Sequence, residues 1–265
     1  MKIACQLPTR MPRSGTNIAY YDLLEKIYDL VRNNDTEVQV RDTPTGFIVG
    51  DRMKWTGLRL INEVEVLKAA IAEEKEGFDG ISIACFFDPA LRPSRQLLNI
   101  PVTGLAESSM RLASFMGGRF AIIAANVLHV PAMQEEIARY HMESQAINRN
   151  PVRALPVSDK GYSPEKFHDF LNGDCSPLIE SFYHAARSCI EDGADIIIAG
   201  CGLISPLLTR AGITEIDNAA VIDPLLASLK QTETLVALHK AGLPYISRRS
   251  YYSAVPPIDI EETLA

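Results

Sequence analysis

The sequence has no apolar run approaching the roughly 18 residues that suggest a membrane-spanning helix, so no span is expected. Its opening, Met1-Lys-Ile-Ala-Cys-Gln-Leu-Pro8, has no extended apolar stretch before the proline, which argues against a secretory leader. Gly-x-Gly-x-x-Gly and Walker patterns are absent, leaving nucleotide binding without support, and there is no Gly-x-Ser-x-Gly elbow to present a hydrolase serine. No Cys-x-x-Cys or His-x-x-x-His pair is found, so no metal is expected. Positive charge is outnumbered, 26 Lys and Arg against 33 Asp and Glu, for a net charge of −7. That balance argues against nucleic acid or an anionic membrane as partner, but a local pocket can still receive a small anionic substrate. The cysteines are five: Cys5, Cys85, Cys175, Cys189 and Cys201. An odd number in a chain without a leader favours free thiols in a reducing, cytoplasmic setting over a disulfide framework.

What is present is a repeated alternation of short apolar strands and amphipathic helices. At 265 residues, 47% apolar and 22% charged, the chain is one large domain or two small ones with a substantial core. Strands are expected over residues 2–7, 38–41, 80–85 and 102–104. Helices are expected from an Asn17 N-cap to residue 31, and over 60–74, 93–98 and 107–115. At Gly117-Gly118 the pattern restarts, with strands over 119–125, 152–157, 195–199 and 220–223. Its helices run over 131–141, 177–192, 204–211 and 224–240, with a turn at 164–171 and an irregular tail beyond 242. This predicts an α/β fold of two doubly wound parallel-sheet lobes related by an internal repeat, with the active site in the cleft between them. Residues 1–116 form the first lobe and 117–223 the second; the pattern hints that 224–265 pack back on the first.

The repeat places one cysteine after the third strand of each half. Gly80-Ile-Ser-Ile-Ala-Cys85 and Ala194-Asp-Ile-Ile-Ile-Ala-Gly-Cys201 match in shape, with the thiols 116 positions apart. Ligands in open α/β sheets bind beyond the carboxyl ends of the strands, so both thiols are placed as reactive groups. A thiol and a thiolate on opposite faces of a carbon next to a carbonyl would remove a proton from one face and return one to the other, inverting the centre. Backbone amides after the strand ends would hold the developing enolate oxygen. A cysteine in an apolar stretch is more often a small buried hydrophobe, and Cys5 and Cys189 are read that way; Cys175 is read as an exposed loop residue.

Cys85 with Asp88-Pro89-Ala90-Leu91 and then Asn99-Ile-Pro-Val-Thr-Gly-Leu-Ala-Glu-Ser-Ser-Met110 resembles the first-cysteine region of the aspartate/glutamate/hydantoin racemase superfamily. The resemblance is to its hydantoin and allantoin branch, where the turn runs Asp-Pro-Gly-Leu. Gly118-Arg-Phe-Ala-Ile-Ile and Gly200-Cys201-Gly202 resemble the second lobe. The resemblance implies a cofactor-independent isomerase, a racemase or epimerase of a small amino-acid derivative, with Cys85 and Cys201 as paired acid and base. The derivative is hydantoin-like first, a free acidic amino acid second. It also implies a homo-oligomer, with no cofactor. Alternatives on the same fold are a maleate-isomerase-like cis-trans isomerase and a catalytically silent small-acid-binding protein. The chain departs from the family at Gln6-Leu-Pro-Thr-Arg10, where Asn-Pro-Asn-Thr-Ser is usual, and at Gly202, where Ala or Thr is usual.

Substrate contacts are expected from Thr9 and Arg10 in the first loop, with Arg13 and Ser14 weighed beside them, and from Phe86, Asn126 and Gly202. Asp88 is expected in a turn or capping role or on a polar substrate. The resemblance places Glu107 near the cleft, although its position also suits the first turn of a helix. His129 follows a strand end, on the side of the pocket; His184 and His239 are read as structural.

Overall fold

A computed structural model of the chain describes residues 1–48, 50–155, 164–253 and 255. The first half runs β1 (Lys2–Gln6), α1 (Ile18–Asp29), β2 (Glu37–Arg41), α2 (Thr56–Lys75), β3 (Gly80–Ile83), α3 (Leu91–Leu97), β4 (Val102–Gly104) and α4 (Leu105–Met116). The second runs β5 (Phe120–Ala124), α5 (Val130–Arg139), β6 (Val152–Ala154), α6 (Pro164–Asn172), α7 (Ser176–Glu191), β7 (Ile196–Ala199), α8 (Ser205–Arg210), β8 (Glu215–Ile216), β9 (Ala219–Ile222) and α9 (Pro224–Lys240).

Two sheets result, and their strand orders repeat. The first is β2-β1-β3-β4, parallel throughout. The second is β6-β5-β7-β9-β8, parallel except for β8, which pairs antiparallel with β9. This is the expected α/β fold of two doubly wound, parallel-dominated lobes built by repetition. The cause is visible in the strands. Ile81 and Ile83 of β3 and Ile196, Ile197 and Ile198 of β7 are at most 2% exposed, the continuous apolar run of a strand covered by helices on both faces. Prolines punctuate the crossovers: α5, α7, α8 and α9 each carry one in the first turn, where a missing N–H leaves no bond unmade.

Helix α9 returns to the first sheet. A Cβ on Gly80 would meet Val236 Cγ2 at 2.6 Å and Thr232 Cγ2 at 2.9 Å, so only glycine lets the helix sit this close to β3. Buried hydroxyls stitch the contact: Ser82 and Thr103 each lie 2.8 Å from Ser228 Oγ, and Thr103 lies 2.6 Å from Thr232 Oγ1.

Several local expectations are corrected. Residues 164–171 are not a turn but helix α6, whose buried Phe167 and Leu171 anchor it. Asn17 does not cap α1 with its side chain, which instead donates to the Pro12 carbonyl after a 3-10 turn over Gly15–Asn17. The strand expected over 152–157 is Val152–Ala154; residues 156 and 157, the polar loop to 163, position 254 and the tail from 256 lie outside the described residues. The nearer tail is tied down: Arg248 donates to the carbonyls of Arg95, Gln96 and Leu98 at the end of α3, and Tyr245 Oη to that of Asn99. No described helix is long and apolar enough to cross a membrane.

Candidate active site

In both lobes the strand order reverses at the first and third strands, and the chain leaves β1, β3, β5 and β7 at one cleft of about 300 Å³. The two cysteine turns that face it match bond for bond. After β3, the amide of Ala84 donates to Gln6 O (2.8 Å), that of Cys85 to Ile83 O (2.9 Å), and Asp88 N to Cys85 O (3.0 Å). After β7, Gly200 N donates to Ile123 O (2.9 Å), Cys201 N to Ala199 O (2.7 Å), and Ile204 N to Cys201 O (3.1 Å). Each chain therefore turns off its sheet at the same point, with a thiol at the corner. The N–H groups of Phe86 and Gly202, the residues after the thiols, make no hydrogen bond among the described residues.

Burial sets the protonation state of the thiols. It pushes Cys85 up to about 12, against the amide of Phe87 and, more weakly, the charge of Arg59; Cys201 and Asp88 add to the rise. Cys201 is also raised by burial, while the amides of Leu203 and Ile204 act to lower it. Cys85 is 9% exposed and Cys201 half-buried, and both border the cleft.

The walls are apolar. Met11, Met53, Phe86, Phe87, Met133 and Phe167 contribute, and Arg10 is the one Lys or Arg among the described lining residues. Phe87 is held between two groups: Arg59, 8% exposed, lies with its guanidinium carbon 4.5 Å from the ring centroid, and His129 meets the ring edge-on at 5.3 Å. Tyr20 and Phe167 form a second edge-to-face pair at 5.3 Å. His168 also borders the cleft, its Nε2 3.5 Å from Thr16 Oγ1 and its Nδ1 buried without a hydrogen-bond partner among the described residues.

The turn after Cys85 is built around Asp88. Its backbone is left-handed (φ 43°), as is that of Ala90 (φ 56°), the place where the resembled turn carries glycine. Fully buried, the Asp88 carboxylate accepts from Ala106 N (3.0 Å), Glu107 N (2.9 Å) and Tyr140 Oη (2.7 Å), capping α4 from outside that helix. Burial raises its carboxyl to about 6 in spite of these donors. Asp88 is thus a structural cap, as one of its two sequence readings held.

Thr9, Arg10, Cys85, Phe86, Asn126, Cys201 and Gly202, distant in sequence, all border this cleft, and so does His129. Asn126 Oδ1 is engaged by the Leu128 amide. Arg13 is not in the cleft: it is exposed and paired with Glu25 and Asp22. Ser14 is exposed outside it as well. Glu107 lies in the first turn of α4, as its position in the sequence suggested, and pairs with Arg95 at 2.6 Å rather than bordering the cleft. Sequence reading missed Tyr20, Phe167 and His168. Tyr20 reads as one more apolar position of α1, and the other two lie on the helix taken for a turn. Among the described residues no group of three His, Cys, Asp or Glu is placed to hold a metal ion.

A hydantoin racemase of Paenarthrobacter aurescens is 31% identical over 184 residues, 68% of this chain and 68% of its own length. One of Pseudomonas sp. (strain NS671) is 30% identical over 176 residues, 63% of this chain; the match spans 62% of the Pseudomonas protein. Among solved structures, an allantoin racemase from Klebsiella pneumoniae superposes with a TM-score of 0.74 at 24% identity, covering 97% of this chain and 95% of that one, a likeness of fold. The sequence profile described as Asp/Glu/Hydantoin racemase runs through residues 16–232, both cysteine turns included, and the chain belongs to that family.

Proposed function

We propose that this protein is a racemase of small carbon acids, in which Cys85 and Cys201 exchange a proton with opposite faces of one carbon. The observation that carries the reading is the matched pair of cysteine turns bordering one cleft. Deprotonation by one thiolate generates an enolate, and the thiol opposite delivers its proton to the other face. The enantiomer reverses the roles. The N–H groups of Phe86 and Gly202 are the donors for the carbonyl oxygen on which charge develops, one from each lobe, and Thr9, Arg10 and Asn126 contact the rest of the ring.

The walls favour a neutral ring with an apolar substituent over a free acidic amino acid. Aspartate or glutamate brings two carboxylates into a site whose described lining holds one arginine and no lysine. A 5-substituted hydantoin brings none, and its C5–H, flanked by an imide carbonyl and a ring nitrogen, is the more acidic. The five free thiols suit a reducing compartment, and we place the protein in the cytoplasm. Fewer than five titratable thiols in protein freshly unfolded under nitrogen would count against that placement.

Polarimetry on enantiopure 5-benzylhydantoin, 5-isobutylhydantoin, allantoin and L-aspartate tests the assignment. The hydantoins should lose rotation fastest, and Cys85→Ala or Cys201→Ala should abolish that loss. Full turnover by both single variants would rule the mechanism out.

A further inference from the structure

Two tyrosines reach from one lobe to the cysteine turn of the other. Tyr20, in the first turns of α1 and 1% exposed, donates its hydroxyl to the carbonyl of Gly202, the residue after Cys201, at 2.9 Å. Tyr140, which follows α5 of the second lobe and is 4% exposed, donates to Asp88 Oδ2 at 2.7 Å. Asp88 in turn holds Cys85, its amide donating to the Cys85 carbonyl at 3.0 Å. The first lobe thus grips the second lobe's cysteine turn, and the second grips the first's. Both tyrosines are buried, and a phenylalanine in either place keeps the ring while removing the one hydrogen bond that crosses to the other lobe. The two turns also touch: a Cβ on Gly202 would lie 3.1 Å from Ala84 O and 3.3 Å from Leu105 Cδ1.

Proton transfer between a thiol and a carbon is sensitive to small displacements, and a site that uses two thiols must hold two positions at once. Within one lobe each turn is fixed by its own sheet. Between lobes, the hydrogen bonds that end at the cysteine turns among the described residues are those of the two tyrosines. We propose that Tyr20 and Tyr140 are positioning residues, reciprocal latches that each hold the opposite lobe's cysteine at its working place. The proposal rests on the racemase reading for its purpose and on geometry for its content.

The experiment is Tyr20→Phe and Tyr140→Phe in the full chain, with folding checked by circular dichroism. Iodoacetamide labelling of Cys85 and Cys201 is then followed by peptide mass spectrometry at fixed pH. Tyr20→Phe should speed labelling of Cys201 about fivefold relative to Cys85, and Tyr140→Phe should do the reverse, as expected when one buried hydrogen bond is lost. Racemisation should lose about tenfold or more in kcat with little change in KM. Gly202→Ala is the second variant: it pushes the Cys201 turn without touching a hydroxyl, and should also speed Cys201. Unchanged labelling in the folded variants, or both tyrosine variants affecting the same cysteine, overturns the proposal. Crossed labelling in a protein that racemises nothing supports the latch geometry and removes the racemase reading. Turnover with wild-type rates and labelling in both variants removes the latch alone.

Discussion

Gly202, the residue after Cys201, stands directly against Ala84, the residue before Cys85: a Cβ on Gly202 would lie 3.1 Å from the Ala84 carbonyl oxygen. The two cysteine turns are therefore in contact, and the gap between the lobes at the cleft is set by the absence of a side chain. Gly202→Ala must push one turn by a few tenths of an ångström. The account expects kcat to fall about tenfold while thermal stability changes little, because the backbone there accepts an L-residue. Wild-type turnover in this variant would show that the contact does not set the geometry.

Asp88 and Gly104 form a second dependent pair. A Cβ on Gly104 would lie 2.4 Å from the Asp88 carboxyl carbon, so the carboxylate caps α4 only because position 104 has no side chain. Asp88→Ala and Gly104→Ala should each cost about 2 kcal/mol in urea unfolding, the loss of a buried cap. Combined, they should cost far less than the sum, since the second has no cap left to break. Additive losses would contradict the capping role.

Glu73 is 2% exposed and neither carboxylate oxygen has a hydrogen-bond partner among the described residues; burial raises its carboxyl to about 8, with Arg41 acting to lower it and Glu76 to raise it. The folded state then holds a proton between about pH 4.5 and 8 that the unfolded chain releases, so stability falls as pH rises through that window. Glu136, also raised to about 8 by burial, acts in the same sense. Urea midpoints should drop from pH 5 to pH 8, and Glu73→Gln should recover on the order of 3 kcal/mol at pH 8 relative to pH 5. An unchanged slope in the variant would show that Glu73 is not the source.

Under the proposed mechanism the thiols set the pH profile of activity. Both are raised by burial, Cys85 to about 12, so the neutral form predominates at pH 7 and the thiolate fraction grows about tenfold per pH unit. kcat/KM, which reports the free enzyme, should rise with a slope near one from pH 7 to 9. A plateau already reached at pH 7 would contradict a thiol base in this environment.

The parts of the fold legible in the sequence were those written in a period. The isoleucine runs before Cys85 and Cys201, the restart at Gly117-Gly118 and the prolines at helix starts mark the strands, crossovers and repeat without reference to distant contacts. Residues 164–171 were misread because Pro164 reads as punctuation, whereas proline is also at home in a first helical turn. The two-residue β8 carries too little pattern to be seen. In the site, loop residues after strand ends were legible because topology alone puts them there; Glu107 was legible as a first-turn residue of its helix, but its partner Arg95 is known only once α3 and α4 are packed. Tyr20, Tyr140 and Arg59 act across elements, through contacts 182, 52 and 28 positions away in the sequence, which no local pattern encodes.

Cys85 and Cys201 are proposed to work one carbon from opposite faces. Proton NMR in D2O on each pure enantiomer of 5-benzylhydantoin, with wild type, Cys85→Ser and Cys201→Ser, reads it directly. Enzyme-dependent loss of the C5 proton with inversion is expected in the wild type. Each variant should lose inversion, and the two should differ in which enantiomer still exchanges. Inversion at the wild-type rate in both variants, or loss of inversion with identical exchange of both enantiomers, would contradict it.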